Sequence, residues 1–241
     1  MPAVNRNRQF QLSNLTEPHL PCVLVLDISA SMSGSPIAFL NRALARAAEV
    51  ITEDSIARGR VEVCLITFGS SVQVEVPFQL SGQYAPKKLF AGGLSSLNTA
   101  LIMALDEIEK RVEAYLASDV VCCTPWIFLL SDGYPSDMER FEEACGKLHQ
   151  KIIDKKVNFF PMAVGNADVD FLRRYFPPEM EGPVLNGTME ELEDVLTWFA
   201  GQVSESSHSG GIGQDTQIPL YARHAQRQEG KTAQRMITIN L

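Results

Sequence analysis

Strand-like apolar segments alternate with amphipathic helical segments over most of this sequence. The first of them, Cys22 to Ile28, is almost continuously apolar, which is typical of a strand that is buried on both faces. The segment that follows begins with Ser35-Pro36, a common helix start, and continues with apolar residues at helical spacing. The full order is β-α-β-β-α-β-α-β-α-β-α, which predicts a mostly parallel sheet covered by helices on both faces.

One pair of strands departs from this alternation. Val61 to Phe68 and Val72 to Phe78 are separated only by the short turn Gly69-Ser70-Ser71. Parallel strands need a long crossover connection, so this pair is predicted to be an antiparallel hairpin. The sequence therefore predicts an α/β fold, namely a doubly wound, mostly parallel six-stranded sheet with one antiparallel edge strand and helices on both faces.

The character of the chain changes at both ends of this pattern. Residues 1–20 are predicted to be an N-terminal extension, and residues 21–204 to form one domain. The stretch from Ser204 to Asp215 is rich in Ser and Gly, and residues 216–241 are polar without sustained periodicity. Residues 205–241 are therefore predicted to be a flexible polar tail, in which Met236 to Leu241 could form a short strand.

Charge and composition argue against several classes of function. A formal net charge of −8 disfavours binding to nucleic acid or to an anionic membrane, since both require a dense basic surface. The N-terminus lacks the apolar core of a secretory signal, and no apolar run is long enough to span a bilayer. The five cysteines show no CxxC spacing, and the four scattered histidines are interpreted as surface residues. We therefore expect a reduced, cytoplasmic protein.

Three short polar segments stand where strands end or helices begin. They are Asp27-Ile28-Ser29-Ala30-Ser31 after the first strand, Gly92-Gly93-Leu94-Ser95-Ser96 before a long helix, and Ser131-Asp132-Gly133 after the strand from Trp126. In open α/β sheets, ligands bind beyond the carboxyl ends of the strands, where the strand order reverses. We therefore expect these segments to form one site.

The donor atoms of these segments suit a particular kind of ligand. Two carboxylates and several hydroxyls offer oxygen only, which favours a hard cation such as Mg²⁺ or Mn²⁺ over zinc. Asp27, Ser29 and Ser31 alternate, and a turn after the strand would let them converge on one point. With few charged ligands, the ion would stay electrophilic and attract an anionic oxygen from outside.

This pattern resembles the metal-ion-dependent adhesion site of the von Willebrand factor A domain family. In that family an Asp-x-Ser-x-Ser motif is followed by a Thr in a Gly-rich loop and then by an Asp, often within a Ser/Thr-Asp-Gly string. The direct matches in this sequence are Asp27, Ser29, Ser31 and Asp132. The resemblance extends over roughly residues 20–204 and implies a bound Mg²⁺ or Mn²⁺.

The fifth ligand departs from the family pattern. The Thr position falls on Ser95, which keeps the hydroxyl but has more rotamer freedom than a β-branched residue. Ser96 and Thr99 are alternative donors, although Thr99 lies about one turn into the helix. Ala30 replaces a Gly that many family members carry, which is a mild change.

Within the family, the sequence is similar to bacterial tellurite-resistance TerY-like proteins. The strings VLVLDISASMSGSPIAFLN and PWIFLLSDGYPSD carry this similarity. The resemblance implies an intracellular protein that is associated with a stress-response system containing a kinase and a phosphatase, either of which could be its partner.

The resemblance leads us to expect a non-enzymatic module that binds an Asp or Glu carboxylate of a protein partner through its metal. An alternative is a Mg²⁺-dependent phosphotransferase or phosphohydrolase that uses the same site. A general base or nucleophile beside the metal would favour that alternative, and the sequence offers none beyond the candidate ligands. A third reading is a metal-free scaffold in which the hydroxyls only cap loops.

Overall fold

A six-stranded sheet forms the centre of the protein, in the order β3-β2-β1-β4-β5-β6. The computed structural model describes residues 16–132, 135, 138–165, 167–176 and 184–208, and the backbone of 215–221 and 234–240. The strands are β1 Leu20–Asp27, β2 Val61–Phe68, β3 Val72–Leu80, β4 Trp126–Ser131, β5 Asn158–Val164 and β6 Leu185–Gly187. All neighbours pair in parallel except β2 and β3, which confirms the predicted mixed sheet.

Helices cover both faces of this sheet. They are α1 Ser35–Glu53, α2 Ala57–Arg60, α3 Leu97–Leu116, α4 Met138–Ile153, α5 Val169–Tyr175 and α6 Leu192–His208. Apolar residues of α1 and α6 fill one half of the core, and those of α3, α4 and α5 fill the other. The strand order reverses between β1 and β4, so the carboxyl ends of these two neighbours form the switch point at which such folds bind ligands.

The continuous apolar run of β1 is explained by its central position. Alternate side chains enter opposite halves of the core, with Leu24 and Leu26 on the side of α1 and α6, and Val23 and Val25 on the other side. Neither face of the strand meets solvent, so no polar alternation is required. The buried strand fixes the position of its last residue, Asp27.

The strand β3 is the antiparallel edge of the sheet. Its register with β2 shifts between Val63 and Ile66, and the strand contains Pro77, which has no backbone N–H to donate. Most of its side chains are partly or fully exposed, in contrast to the buried β2. The tight β2–β3 turn follows the carboxyl end of β2. Because β1 and β2 are parallel, the turn lies at the same end of the sheet as the last residue of β1.

The last helix continues past the predicted domain boundary at Ser204. It ends at His208, and the Ser204 hydroxyl donates a 2.5 Å hydrogen bond to Asp54 Oδ2. Arg60 Nη1 donates a 3.0 Å hydrogen bond to the carbonyl of Ser207. Polar contacts thus hold the end of α6 against the segment around α2, and the helix extends four residues beyond the predicted boundary.

The predicted tail contains a separate two-stranded antiparallel sheet of β7 Asp215–Tyr221 and β8 Gln234–Asn240. The predicted strand from Met236 lies within β8, and Leu241 lies outside the described residues. The first 15 residues of the predicted N-terminal extension and residues 209–214 also lie outside them. None of the helices that the structure describes has the length and apolar character to cross a membrane.

A buried cluster of charged and polar groups lies near the amino end of β2. Glu62 Oε2 accepts a 2.5 Å hydrogen bond from Arg111 Nε, and Glu62 Oε1 lies 3.1 Å from His19 Nδ1. Arg111 Nε also lies 3.2 Å from the Tyr115 hydroxyl, and all four side chains are buried. The interpretation of His19 as a surface residue is therefore wrong, because this histidine pairs with a carboxylate inside the domain.

Burial alone would raise the pKa of Glu62. Hydrogen bonds from His19 and Arg111, together with the positive charge of Arg111, outweigh burial and hold that pKa below its usual range. Glu62 is therefore a charged carboxylate with its cation in direct contact.

Candidate metal centre

The first part of the site is the end of β1 and the turn after it. Asp27 is the last residue of the strand and is completely buried. The backbone N–H of Ser29 donates a 2.9 Å hydrogen bond to Asp27 Oδ1, which folds the chain back over the carboxylate. A short 3-10 turn from Ala30 to Met32 then brings Ser31 Oγ within 2.9 Å of Ser29 Oγ. The three predicted ligands of this segment therefore converge on one point.

The second part is the end of β4, which pairs directly with β1. Asp132 Oδ1 lies 3.5 Å from Ser29 Oγ. The preceding residue, Ser131, directs its hydroxyl to Asp27 Oδ2 at 3.4 Å. Ser131 belongs to the third predicted segment but was not among the five predicted ligands, and its place beside Asp132 at the same strand end is the signal for its contact with Asp27.

The third part is the Gly-rich loop before α3. Ser95 Oγ lies 3.5 Å from Asp27 Oδ2. Ser96 is the N-cap residue of α3, and the side chain of Thr99 is exposed in the first turn of this helix. Among the three hydroxyls considered for the fifth position, the contact with Asp27 favours Ser95.

The structure thus joins the five predicted site residues by hydrogen-bond contacts through Asp27 and Ser29. Gly133, which completes the third predicted segment, lies outside the described residues. The role of the five residues as metal ligands stays a prediction, because no relative or contact tests it.

The electrostatics of the cluster centre on Asp27. Burial raises the pKa of this carboxyl group to about 6. Hydrogen bonds from Ser29 oppose the rise, and the nearby negative charge of Asp132 adds to it. The ion pairs of the described residues do not include Asp27. Two acidic groups therefore face one another among hydroxyls, in an arrangement that a positive charge would stabilise.

The spacing of the oxygens is compatible with a small hard cation. Oxygens that bind Mg²⁺ at about 2.1 Å in octahedral geometry lie about 3 Å apart at neighbouring corners. The oxygen pairs of this cluster are separated by 2.9 Å for Ser29 and Ser31 and by 3.5 Å for Ser29 and Asp132. Within the described residues, no group of three or more His, Cys, Asp or Glu side chains is placed to hold a metal. A cation at this site would therefore depend on hydroxyl ligands as well as carboxylates.

A protein-family model matches most of this sequence. The model of the von Willebrand factor type A domain matches residues 22–194, which contain all three parts of the site. No curated protein matches the chain in sequence.

Solved structures with this architecture come from a parasite, a mussel and a bacterium. The manganese-loaded TRAP protein of Plasmodium vivax matches with a TM-score of 0.51 and 18% identity, over 74% of this chain and 73% of that one. Proximal thread matrix protein 1 of the mussel byssus, with a zinc-occupied MIDAS motif, matches with a TM-score of 0.51 and 12% identity, over 78% and 48%. The pilus adhesin SpaC of Lactobacillus rhamnosus GG matches with a TM-score of 0.63 and 12% identity, over 94% and 37%. This chain spans less than half of the last two proteins, and identities this low establish the fold alone.

Proposed function

The chain belongs to the von Willebrand factor type A domain family, and from this premise we propose that it is a metal-ion-dependent protein-binding module. One observation carries the proposal. The buried Asp27 carboxylate lies among the hydroxyls of Ser29, Ser95 and Ser131 and near a second carboxylate, with no cation in contact among the described residues. A divalent ion would supply the missing charge, and solved structures of this fold carry manganese or zinc.

The ligands that we propose are the hydroxyls of Ser29, Ser31 and Ser95 and the carboxylates of Asp27 and Asp132. An all-oxygen set of this kind favours Mg²⁺ or Mn²⁺. When bound, the ion supplies a coordination position for a carboxylate of another protein. The chain's part is to hold the hydroxyls in place and to keep Asp27 away from water, which strengthens the local field.

Exposed apolar residues next to the site support a protein as the partner. Leu94, which directly precedes Ser95, is 78% exposed, and Phe90 in the same connection is 71% exposed. The ammonium group of Lys88 lies 5.5 Å from the centre of the Phe90 ring. Apolar and aromatic side chains contribute much of the energy of protein interfaces, whereas a small inorganic anion would gain nothing from them.

We propose binding without chemistry at this site. In the described cluster, the groups that contact Asp27 and Ser29 are hydroxyls, backbone and Asp132, all of them candidate ligands or their neighbours. A phosphotransferase would require a further group to accept a proton or attack phosphorus. The alternatives, a Mg²⁺-dependent phosphohydrolase or a metal-free scaffold, predict different results in the experiment below.

The similarity to TerY-like proteins suggests a cellular setting, which we also propose. The chain would act in the cytoplasm, in a stress-response system of the tellurite-resistance type, and a kinase or phosphatase of that system would be the partner. The support is the pair of sequence strings around Asp27 and Asp132.

Metal titration of the purified protein tests the proposal. Calorimetry with Mn²⁺ and Mg²⁺ should give one site per chain in the wild type and no binding in Asp27→Ala. Asp106→Ala, which removes an exposed carboxylate on α3, should bind like the wild type. Absence of binding at millimolar metal contradicts the proposal and favours the metal-free scaffold. Binding that survives Asp27→Ala also contradicts it, because the metal is then held without Asp27.

Capture of partners from cytoplasm tests the role of the metal. A partner should bind to the wild type in Mg²⁺ and be lost in EDTA or with Asp27→Ala, while Asp106→Ala retains it. A partner that binds equally well in EDTA would show that a metal is not needed for partner binding and that any bound metal has a structural role. Phosphoester turnover that depends on Asp27 supports the enzyme alternative.

A further inference from the structure

Three loops meet at the carboxyl end of the sheet through their backbones. The loop after β1 carries Ser29 and Ser31, the β2–β3 turn is Gly69–Ser71, and the Gly-rich loop is Gly92–Ser96. The N–H of Gly92 donates a 2.7 Å hydrogen bond to the carbonyl of Ile28, and the carbonyl of Gly93 accepts a 2.9 Å hydrogen bond from Ala30. The Gly-rich loop is thereby joined on both sides of Ser29 to the segment that carries the first candidate ligands.

The β2–β3 turn completes this arrangement without offering a candidate ligand. The N–H of Ser70 donates a 3.1 Å hydrogen bond to the carbonyl of Gly92. The N–H of Ile28 bonds to the carbonyl of Phe68 at 2.9 Å, so the β1–β2 pairing continues to the point where the turn begins. The turn therefore lies against the Gly-rich loop at a position set by the sheet itself.

Two glycines make this close approach possible. A Cβ atom on Gly93 would lie only 2.2 Å from the backbone nitrogen of Ser70 and 2.3 Å from its Cα, and Gly93 also has a positive φ of 83°. A Cβ atom on Gly69 would lie 2.5 Å from the carbonyl oxygen of Gly92. Real side chains do not tolerate such distances to backbone atoms, so any other residue at either position must push the turn and the loop apart.

We propose that Gly69 and Gly93 are positioning residues of the metal site. This inference rests on the proposed metal binding. The close approach of the β2–β3 turn to the Gly-rich loop at these two glycines holds the Gly-rich loop against the loop after β1. It thereby sets the distance between Ser95, two residues beyond Gly93, and the turn that carries Ser29 and Ser31. The β2–β3 turn thus supports the geometry of a site to which it contributes no ligand.

The choice of ion makes this role measurable. Mg²⁺ and Mn²⁺ at oxygen sites demand short, near-octahedral contacts, whereas Ca²⁺ accepts longer distances and a variable number of ligands. An added methyl group at Gly93 forces a backbone displacement of roughly 1 Å, since ordinary contacts begin near 3.4 Å. We expect such a shift to weaken Mg²⁺ and Mn²⁺ binding at least tenfold and to weaken Ca²⁺ binding much less.

Alanine variants of neighbouring glycines provide the test. Gly93→Ala and Gly69→Ala should lose Mn²⁺ affinity at least tenfold, with a fall in the ratio of Mn²⁺ to Ca²⁺ affinity. Gly92→Ala is the matched control, because it adds the same methyl group to the same loop where no atom lies within 4 Å. Gly146→Ala, in open space on α4, controls for a general effect of the substitution. Thermal melting in EDTA shows the temperature range in which each variant is folded, and the titrations are carried out within that range.

A second measurement needs no variant. In the wild type, saturation with Mg²⁺ should slow hydrogen exchange of the backbone amides of Ala30, Ser70 and Gly92, which make the contacts between the loops. Unchanged exchange at all three, or wild-type Mn²⁺ affinity in folded Gly93→Ala and Gly69→Ala, overturns the inference. If the wild type itself binds no metal, the proposed function is what fails.

Discussion

A buried carboxylate lies at each end of the sheet, and the two have opposite electrostatic surroundings. At the amino end, Glu62 contacts Arg111 and His19, and these partners keep its pKa low in spite of complete burial. At the carboxyl end, Asp27 is equally buried but contacts hydroxyls and the second acid Asp132, and burial raises its pKa to about 6. The first arrangement is complete within the chain. Within the part of the chain that the structure describes, the second has no positive charge in contact, and a ligand from outside would supply one.

This contrast distinguishes a structural ion cluster from a proposed binding site. Burial of a charge is costly unless a partner compensates it. The Glu62 cluster already contains its cation, so it has no physical reason to bind another. Burial of Asp27 without a cation is costly, and an ion bound at the proposed site would recover that free energy.

The largest expected effect on stability comes from removing the cation of the Glu62 cluster. Arg111→Met leaves Glu62 buried without its cation, which should lower the free energy of unfolding by about 3–5 kcal/mol. Urea denaturation at neutral pH measures it. The control is Lys110→Met on the same helix, where the partly exposed pair with Glu107 is worth less than about 1 kcal/mol. Equal costs for the two variants would mean that Glu62 is compensated in some other way.

Removing the charge of Asp27 should instead raise the free energy of unfolding. Asp27→Asn keeps the shape of the side chain and removes its charge, so the metal-free protein should gain up to about 3 kcal/mol at pH 7, since each pKa unit corresponds to about 1.4 kcal/mol. Glu62→Gln should instead destabilise the protein. Both are measured by urea denaturation in EDTA, and Asp27→Asn should in addition abolish Mn²⁺ binding.

The pH dependence gives the Asp27 prediction a second readout. Folding raises the pKa of Asp27 from 3.8 to about 6, so between these values the folded state holds a proton that the unfolded state has released. The cost of the carboxylate therefore appears as pH rises through this window and is constant above it. The advantage of Asp27→Asn over the wild type should vanish near pH 4. An advantage that is the same at pH 4 and pH 7 would show that charge is not its cause.

A smaller effect concerns the end of α6. A chain that ends at His208 should melt within a few degrees of the full chain and retain Mn²⁺ binding, because the contacts at both ends of the sheet lie before that residue. A chain that ends at Ser204 loses the bond from Arg60 to Ser207 and the contact of His208 with Asp54, and should be less stable by about 1 kcal/mol. Thermal melting of the two shortened chains distinguishes them. A large loss on ending at His208 would instead place the β7–β8 sheet in the folded core.

The smallest effect concerns the fifth ligand. Ser95→Thr adds the β-branch that the family usually has at this position, and it should strengthen Mn²⁺ binding a few-fold by restricting the side-chain rotamers. Ser96→Thr, one residue further, should leave the affinity unchanged. Calorimetry measures both. A gain with Ser96→Thr alone would move the fifth ligand to that residue.

The carboxyl end of the sheet was largely predictable from sequence. Apolar runs such as Val61–Phe68 define strands locally, and parallel pairing of neighbouring strands brings their last residues together. Asp27 and Asp132 follow such runs, so their proximity required no knowledge of distant contacts. Ser95 required the family pattern as well, since its loop could have folded in several ways.

The amino end was not predictable in this way. Glu62 lies within a buried strand, and nothing near it in sequence identifies its partners, because Arg111 lies 49 residues further along the chain. His19 likewise gives no local signal of burial. The contact of Gly69 with Gly92 was missed for the same reason, since turn residues look alike in sequence whether or not another backbone lies against them.

The edge strand β3 has a consequence for the behaviour of the protein at high concentration. An exposed strand edge offers unpaired backbone groups on which another chain can add a strand, and this is a common start of aggregation. In β3 the register shift and Pro77 interrupt that edge, and charged and amide side chains occupy several of its positions. The opposite edge, β6, has only three residues. The interruptions of β3 and the shortness of β6 therefore disfavour association by strand addition at the two edges of this sheet.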